Sequence, residues 1–210
     1  MKSDEFWDKA AEKYAKQAVS DEQTYQRKLS ETQAHFNPDM RVLEFGCGTG
    51  STAICHAPFV KHIDAIDVSE KMLTIGREKA LGADINNINF TLGTLQEFNA
   101  APESLDAVLG LNVIHLIENR AAVLAEVARI LKPGGIFVSS TGCLGNSYLR
   151  FIKLLNPIAK LLGFMPDIFV IKEEQLAREI RDAGFTIETQ WHHGIQNIGV
   201  FIIARKRDTK

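Results

Sequence analysis

No part of the sequence restricts the fold more than residues 41–50. A hydrophobic run breaks there into glycines separated by single residues: Gly46, Gly48 and Gly50. The run predicts a buried parallel strand, and the glycines let the backbone turn sharply and approach a ligand closely. Thr49 or Ser51 can then begin a helix whose free N–H groups point back at that ligand. The stretch therefore predicts a nucleotide-type binding site.

Glu44 adds information because it lies inside the apolar run. A buried carboxylate is costly unless a cation or hydrogen-bond donors meet it, so Glu44 predicts either a cationic ligand group or the amides of a neighbouring loop. Cys47, between two of the glycines, is interpreted as a small residue that lines the loop. The three cysteines, Cys47, Cys55 and Cys143, have no paired spacing, so we expect neither a disulfide framework nor a metal cluster.

The next predicted strand, residues 62–67, ends at Asp67. This acid follows Gly46 by 21 residues, close to the spacing at which an acid in a nucleotide-binding βαβ unit meets the ribose hydroxyls. The dinucleotide fingerprint would need its third glycine at position 51, which is serine, so a nicotinamide-dependent dehydrogenase is disfavoured. Ser69 is the expected N-cap of the following helix, which brings Met72 beside a bound ring.

Strands and amphipathic helices alternate along the chain, which predicts an α/β fold with a parallel sheet covered on both faces. Further strands are expected at 88–92, 106–111 and 136–140. A helix with an apolar stripe precedes the last of these and ends before Lys132. Residues 185–191 and 198–204 are also predicted strands. Their connection is too short for a crossover helix, so they must form an antiparallel hairpin.

Composition favours one domain over residues 1–210. Apolar residues make up 45% of the chain, enough to bury one sizeable core. A formal net charge of −2 supplies no electrostatic footprint for nucleic acid. The N-terminus is acidic and polar, and no apolar run reaches membrane-spanning length. We therefore expect a cytoplasmic protein with no stable membrane insertion and no nucleic-acid partner.

These residues resemble the class I S-adenosylmethionine-dependent methyltransferases, in the branch that includes quinone-ring and small-molecule methyltransferases. Residues 42–50 are similar to the family's first motif, Asp67 to its ribose-binding acid, and residues 131–135 to its turn before strand five. The resemblance implies a Rossmann-like, doubly wound, seven-stranded mixed sheet with the last strand antiparallel. It also implies N-terminal helices, a helical lid after strand five, S-adenosyl-L-methionine as cofactor and S-adenosyl-L-homocysteine as product, with no metal.

In that family the acid at the position of Glu44 serves the methionine end of the cofactor, whose ammonium would be its cation. Cofactor contacts are expected from residues at the carboxyl ends of the first four strands: Glu44, Gly46, Cys47, Gly48, Gly50, Asp67, Val68, Met72, Gly93, Thr94, Leu95 and Asn112. Thr94 departs from the pattern, because the family often has an acid there that contacts the adenine amino group. Adenine recognition is then expected from Thr94 and backbone groups.

The implied activity is transfer of a methyl group to a small, apolar organic acceptor by in-line displacement, which needs alignment but no nucleophile on the protein. An acceptor that carries a proton would benefit from a general base. His115, just past strand four, is the first candidate, ahead of His192 and His193 at the end of strand six, and Tyr14 is a second catalytic candidate. The alternative is a catalytically silent S-adenosylmethionine-binding protein with a regulatory or scaffolding role.

Two segments are expected to shape the acceptor site. Residues 1–36 form an N-terminal helical arm, whose aromatic side chains either pack on the body or fold over the cofactor. Residues 142–170 form a helical lid insertion, rich in apolar side chains with basic residues among them. Three interpretations of this lid stay open: ordinary core helices, an acceptor pocket, or a face that touches a membrane peripherally through residues 145–165.

Overall fold

The computed structural model describes residues 3–146, 166–194 and 197–208. Its centre is a seven-stranded sheet with the order β3-β2-β1-β4-β5-β7-β6. The strands are β1 (Arg41–Phe45), β2 (His62–Asp67), β3 (Ile88–Leu92), β4 (Leu105–Leu111), β5 (Leu131–Gly142), β6 (Phe185–His193) and β7 (Gly199–Lys206). Neighbouring strands are parallel, except that β7 is antiparallel to both β5 and β6. The predicted mixed sheet with a terminal hairpin is confirmed.

The helices are α1 (Ser3–Lys16), α2 (Glu22–Gln33), α3 (Ser51–His56), α4 (Glu70–Gly82), α5 (Leu95–Phe98), α6 (Arg120–Ile130) and α7 (Glu173–Asp182). Alternate residues of the central strands bury their side chains in two separate clusters. Leu43 packs in the cluster that contains the apolar residues of α6 and α7, whereas its neighbour Val42 packs in the cluster with α3 and α4. Because side chains alternate across a strand, these clusters lie on opposite faces of the sheet.

The two N-terminal helices are tied to the body by side-chain hydrogen bonds. On α1, an Asp8 carboxylate oxygen accepts from Ser69 Oγ at 2.6 Å and from the Lys71 amide at 3.3 Å. On α2, Glu31 accepts from Trp191 Nε1 at 2.7 Å, and the Arg27 guanidinium lies 3.9 Å from the centre of the same indole ring. The arm therefore contacts the loop after β2 in one half of the sheet and the edge strand β6 in the other half.

Several strands are longer than predicted, β5 and β6 among them. Helix α6 ends at Ile130, and Leu131 already pairs with Leu105 in β4, although the sequence predicts it as the end of the helix stripe. Pro133 disfavours helical backbone at Lys132, so the helix has to end before that residue, and pairing with Leu105 places Leu131 in the strand. At the other edge, β6 continues to His193 through ladder pairing with β7, two residues beyond the predicted end.

Most of the predicted lid, residues 142–170, lies outside the described residues, and so does most of the candidate membrane face, residues 145–165. Within the described ranges, none of the helices has both the length and the apolar character required to cross a membrane.

Candidate functional site

The carboxyl ends of β1, β2 and β4 border a cavity of about 390 Å³ that α1 covers. It is lined by the following predicted cofactor residues: Gly46, Gly48, Asp67, Val68, Met72, Gly93, Thr94, Leu95 and Asn112. Side chains from α1 complete it, among them Trp7 and Tyr14. This is the edge at which open α/β sheets bind their ligands.

The glycines after β1 all have left-handed backbone but serve different purposes. Their φ angles are +64° at Gly46, +54° at Gly48 and +68° at Gly50. A Cβ at Gly46 would lie 2.6 Å from Val113, and one at Gly50 would lie 2.7 Å from Phe90, so these two positions allow close packing. A Cβ at Gly48 would meet only Tyr14, at 3.8 Å, so the absence of a side chain at Gly48 leaves space in the cavity. Gly50 does not line this cavity.

Asp67 joins the end of β2 to this glycine loop. Its Oδ2 accepts the amide proton of Gly48 at 2.8 Å, and its Oδ1 accepts that of Ser69 at 3.0 Å. Desolvation by burial raises the pKa of Asp67, while these backbone hydrogen bonds oppose the rise. Each carboxylate oxygen keeps a further lone pair, so Asp67 can still accept protons from a ligand's hydroxyls.

Glu44 lies at the end of β1 and is only 3% exposed. Its Oε2 is buried and has no hydrogen-bond partner within the described part of the chain. Desolvation, with a smaller contribution from the charge of Asp67, raises the pKa of Glu44 to about 8. Its charge in turn helps to raise the pKa values of Tyr14 and Cys47. Glu44 does not line the cavity itself, so a ligand's cation or strong donor would have to reach Oε2 past the residues that do, and it would then offset the desolvation cost of the carboxylate.

The far wall of the cavity is apolar. Its side chains come from α5, from the loop and 3₁₀ turn after β4 and from α6: Leu95, Val113, Leu116, Ile117 and Val123. Thr94 borders this wall, but its hydroxyl and amide both bond to Glu97 Oε2 at 2.8 Å and cap α5. The sequence prediction missed the part of this wall after β4, although the apolar residues that follow Asn112 could have indicated it.

A second cavity, of about 410 Å³, adjoins the first, and Tyr14 and Asn112 line both. Asn112 has a φ of +57° and donates its amide proton to the Ser140 carbonyl at 2.7 Å. A non-glycine residue in this left-handed conformation is uncommon and is often found at functional sites. The second cavity is polar, with lysines and hydroxyl side chains in its wall: Lys28, Lys79, Thr49, Ser51 and Thr52.

The side chains singled out for chemistry lie in different environments. Tyr14 is 46% exposed, and burial of its hydroxyl end together with the nearby acids raises its pKa, so it stays a neutral phenol. Burial raises the pKa of Cys47 well above its ordinary value, which favours a neutral thiol lining the second cavity. His115 lines neither cavity; burial lowers its pKa, and its buried Nδ1 has no partner among the described residues. Its role as a base stays a prediction.

Contacts of α2 with the end of the sheet were not predicted. Lys28 donates from Nζ to Ser140 Oγ at 2.9 Å, and that oxygen lies 3.1 Å from Nε2 of His193. His193 reaches Ser140 because Gly199 separates them: a Cβ at Gly199 would lie 2.2 Å from the histidine ring. A glycine inside a predicted apolar strand was the available signal for this close approach. In the described ranges, no three His, Cys, Asp or Glu side chains are grouped to hold a metal ion.

Comparison with known proteins gives consistent results. Residues 42–135 match a family described as a methyltransferase domain. The chain is 32% identical over 152 residues to a ubiquinone biosynthesis O-methyltransferase of Thiobacillus denitrificans, covering 70% of this chain and 65% of the relative. It is 29% identical over 144 residues to a demethylmenaquinone methyltransferase of Leptospira interrogans, covering 65% and 58%. The chain therefore spans less than two thirds of the length of these relatives.

A solved structure of geranyl diphosphate C-methyltransferase from Streptomyces coelicolor, in complex with Mg²⁺, geranyl diphosphate and S-adenosyl-L-homocysteine, has a similar fold. The TM-score is 0.70 at 14% identity, with 89% of this chain and 79% of that chain covered. At this identity the likeness concerns the fold alone.

Proposed function

We propose that the chain, whose residues 42–135 match a methyltransferase domain, binds S-adenosyl-L-methionine and methylates a small organic acceptor. The observation that carries this proposal is the unpartnered Oε2 of Glu44 at the end of β1. Burial keeps this carboxyl protonated near neutral pH. The ammonium of an amino-acid ligand would provide a positive partner and so favour the ionised carboxylate.

The residues around the first cavity fit the rest of such a ligand. Asp67 would accept hydrogen bonds from ribose hydroxyls. The missing side chain at Gly48 would let the ligand approach the backbone of the loop closely. The apolar wall that includes Leu95 and Val113 would cover an adenine ring. When bound, S-adenosyl-L-methionine supplies a methyl group on a sulfonium centre that is open to in-line displacement.

The chain's own contribution to transfer is alignment and exclusion of water. Tyr14 and Asn112 stand between the two cavities, so they are suited to define the passage from the cofactor to the acceptor. Helix α1 covers the first cavity and is held down by Asp8. Where the acceptor carries a proton, a neutral imidazole such as His115 could take it.

We propose a quinone-type or related small organic acceptor with an apolar body. Two relatives, a ubiquinone biosynthesis O-methyltransferase and a demethylmenaquinone methyltransferase, support this choice. The apolar residues of the 142–170 segment support it too, since that segment follows β5 at the same edge of the sheet. Most of this segment, residues 147–165, lies outside the described residues.

Thermal unfolding with S-adenosyl-L-methionine, S-adenosyl-L-homocysteine, NAD and NADP tests the cofactor. We expect the two adenosyl compounds to raise the melting temperature and the nicotinamide nucleotides to leave it unchanged. Stabilisation by NAD alone would overturn the proposal. Transfer of labelled methyl groups from S-adenosyl-L-methionine to a metabolite extract then tests catalysis, and binding without any transfer would exclude the enzymatic function for the compounds present.

A further inference from the structure

The second cavity contains a chain of hydrogen bonds that the proposed cofactor site does not use. It runs from Lys28 on α2 through Ser140 on β5 to His193 at the end of β6, with contacts of 2.9 and 3.1 Å. Lys28 and His193 both line the cavity. Ser140 is 1% exposed, so it links the other two from beneath the surface.

The position of Lys28 is unfavourable for a cation in the ligand-free chain. It forms no ion pair with any described residue, and desolvation lowers its pKa to about 8, a shift that the exposed Asp21 only partly opposes. A desolvated ammonium with one neutral hydrogen-bond partner still has two N–H donors to offer. Such a group is complementary to an anion, because an anion would restore the charge balance that burial removes.

The position of each proton in this row of hydrogen bonds follows from the chemistry of the three side chains. An ammonium can only donate, so Ser140 Oγ accepts from Lys28 and can give its own proton to Nε2 of His193. Burial, and next the charge of Lys28, lower the pKa of His193 to about 4, so its ring is neutral at physiological pH. The remaining ring proton is then on Nδ1. Lys28 and His193, at the two ends of this row of hydrogen bonds, therefore each have an N–H group to donate.

The arrangement is built into the sheet rather than left to a mobile side chain. The His193 ring lies across Gly199 of β7, where any Cβ would displace it. The indole of Trp191 meets the same ring edge-on with 5.8 Å between centroids. Trp191 is itself held by Glu31 of α2, the helix that carries Lys28.

The rest of the cavity wall also favours a negatively charged ligand. Lys79 donates to the hydroxyls of Thr49 at 2.9 Å and Ser51 at 3.1 Å, so its cation also faces neutral oxygens. The carboxylate that lines this cavity, Asp21, is fully exposed and caps α2 through the Thr24 amide. Cations thus outnumber carboxylates along the described wall.

We propose that this cavity is the acceptor site and that the acceptor presents an oxyanion, a carboxylate or an ionised hydroxyl, to Lys28 and His193. The inference rests on the proposed methyl transfer and specifies its substrate class: a small organic molecule with one acidic oxygen function. Lys28 supplies the countercharge, His193 a directed donor, and Ser140 positions both.

Benzoate and benzyl alcohol, which share a body and differ in charge, are suitable probes for titration calorimetry on the protein saturated with S-adenosyl-L-homocysteine. We expect benzoate to bind at least about tenfold more tightly than benzyl alcohol. Lys28→Gln, which can keep the bond to Ser140 but removes the charge, should remove that preference, whereas Lys28→Arg should retain it. Gly199→Ala should weaken benzoate binding because it displaces the His193 ring, and Lys61→Gln, on the surface before β2, should not.

Equal affinity for the two probes, or benzoate binding that Lys28→Gln leaves unchanged, would overturn the inference. It would also be overturned if Lys28→Gln weakened S-adenosyl-L-homocysteine itself about tenfold but left 5′-methylthioadenosine unaffected, since the lysine would then serve the cofactor's carboxylate. Failure of the unaltered protein to bind S-adenosyl-L-homocysteine at all is a different result and contradicts the proposed function. A melting scan of each variant establishes that it is folded.

Discussion

The amide of Gly48 donates a hydrogen bond of 2.8 Å to Oδ2 of Asp67, which joins the loop after β1 to the acid that ends β2. The shape of the loop and the position of the acid are therefore coupled, although 19 residues separate them. A ligand that bonds to Asp67 would bind against a loop that the same carboxylate holds in place.

Asp67→Asn should weaken S-adenosyl-L-homocysteine binding by about tenfold or more, because hydrogen bonds to a charged acceptor are about twice as strong as neutral ones. Calorimetric titration measures the change. Asp64→Asn is the matched control: Asp64 is on the same strand, buried, and engaged with Arg41 and His62 rather than with the glycine loop. Equal losses in the two variants would contradict a direct role for Asp67.

Glu44 should make ligand binding release protons. Its pKa is about 8 in the ligand-free chain, so the carboxyl is mostly protonated at pH 7, and an ammonium partner would favour the ionised form. Titrations with S-adenosyl-L-homocysteine in buffers of different ionisation enthalpy should reveal release of nearly one proton at pH 7, and none in Glu44→Gln. A heat that is independent of the buffer in the unaltered protein would refute this.

The same carboxyl should set a pH dependence of stability. Its folded pKa of about 8 lies above its ordinary value of 4.5, so between these values the folded state holds more protons than the unfolded state. The free energy of unfolding should therefore fall as pH rises from 4.5 to 8, with a slope approaching roughly 1.4 kcal/mol per pH unit from this group. Denaturant titrations across that range should give a flatter profile for Glu44→Gln.

Gly50→Ala should destabilise the chain more than Gly134→Ala. Both glycines have left-handed backbone, at φ of +68° and +75°, but a Cβ at Gly50 would meet the Phe90 ring at 2.7 Å, whereas one at Gly134 has no neighbour within 4 Å. We expect about 1 kcal/mol for the conformational cost alone and roughly 2–4 kcal/mol where overpacking adds to it. Urea unfolding measures both, and equal losses would exclude the packing contribution.

Asp8→Ala should loosen α1 over the first cavity, because it removes the acceptor of the Ser69 hydroxyl and the Lys71 amide. Faster dissociation of S-adenosyl-L-homocysteine and faster tryptic cleavage within α1 are the expected results. Asp4→Ala, an exposed position on the same helix, serves as control. Unchanged rates in Asp8→Ala would mean that α1 is held by its other contacts.

His115→Gln should lower turnover with a proton-bearing acceptor by about a hundredfold and leave S-adenosyl-L-homocysteine affinity nearly unchanged. Burial lowers the pKa of His115 and so keeps its ring neutral, but the residue lines neither cavity, so this role requires the acceptor to reach the ring. Steady-state kinetics across pH separates the two quantities. His62→Gln, at the amino end of β2, is the control, and undiminished turnover in His115→Gln would remove this residue as the base.

Much of the fold could be predicted because its signals are local. Periodicity located the strands, the loop glycines marked a turn that needs positive φ, and the short final connection required an antiparallel hairpin. Among the boundaries that were missed, those at Leu131 and His193 depend on pairing with strands distant in sequence. The local pattern does not record such pairing.

The sequence alone determined which chemical groups stand at the carboxyl ends of the strands, from Glu44 in β1 to Asp67 in β2, because strand and loop positions follow from short-range pattern. Tertiary structure decided which of them meet other segments. Lys28 and Ser140 are 112 residues apart and Ser140 and His193 are 53 apart, yet they touch because β7 is inserted between β5 and β6 with a glycine at the crossing point. Strand order and register are properties of the whole sheet, so the polar cavity became visible only when the sheet was assembled.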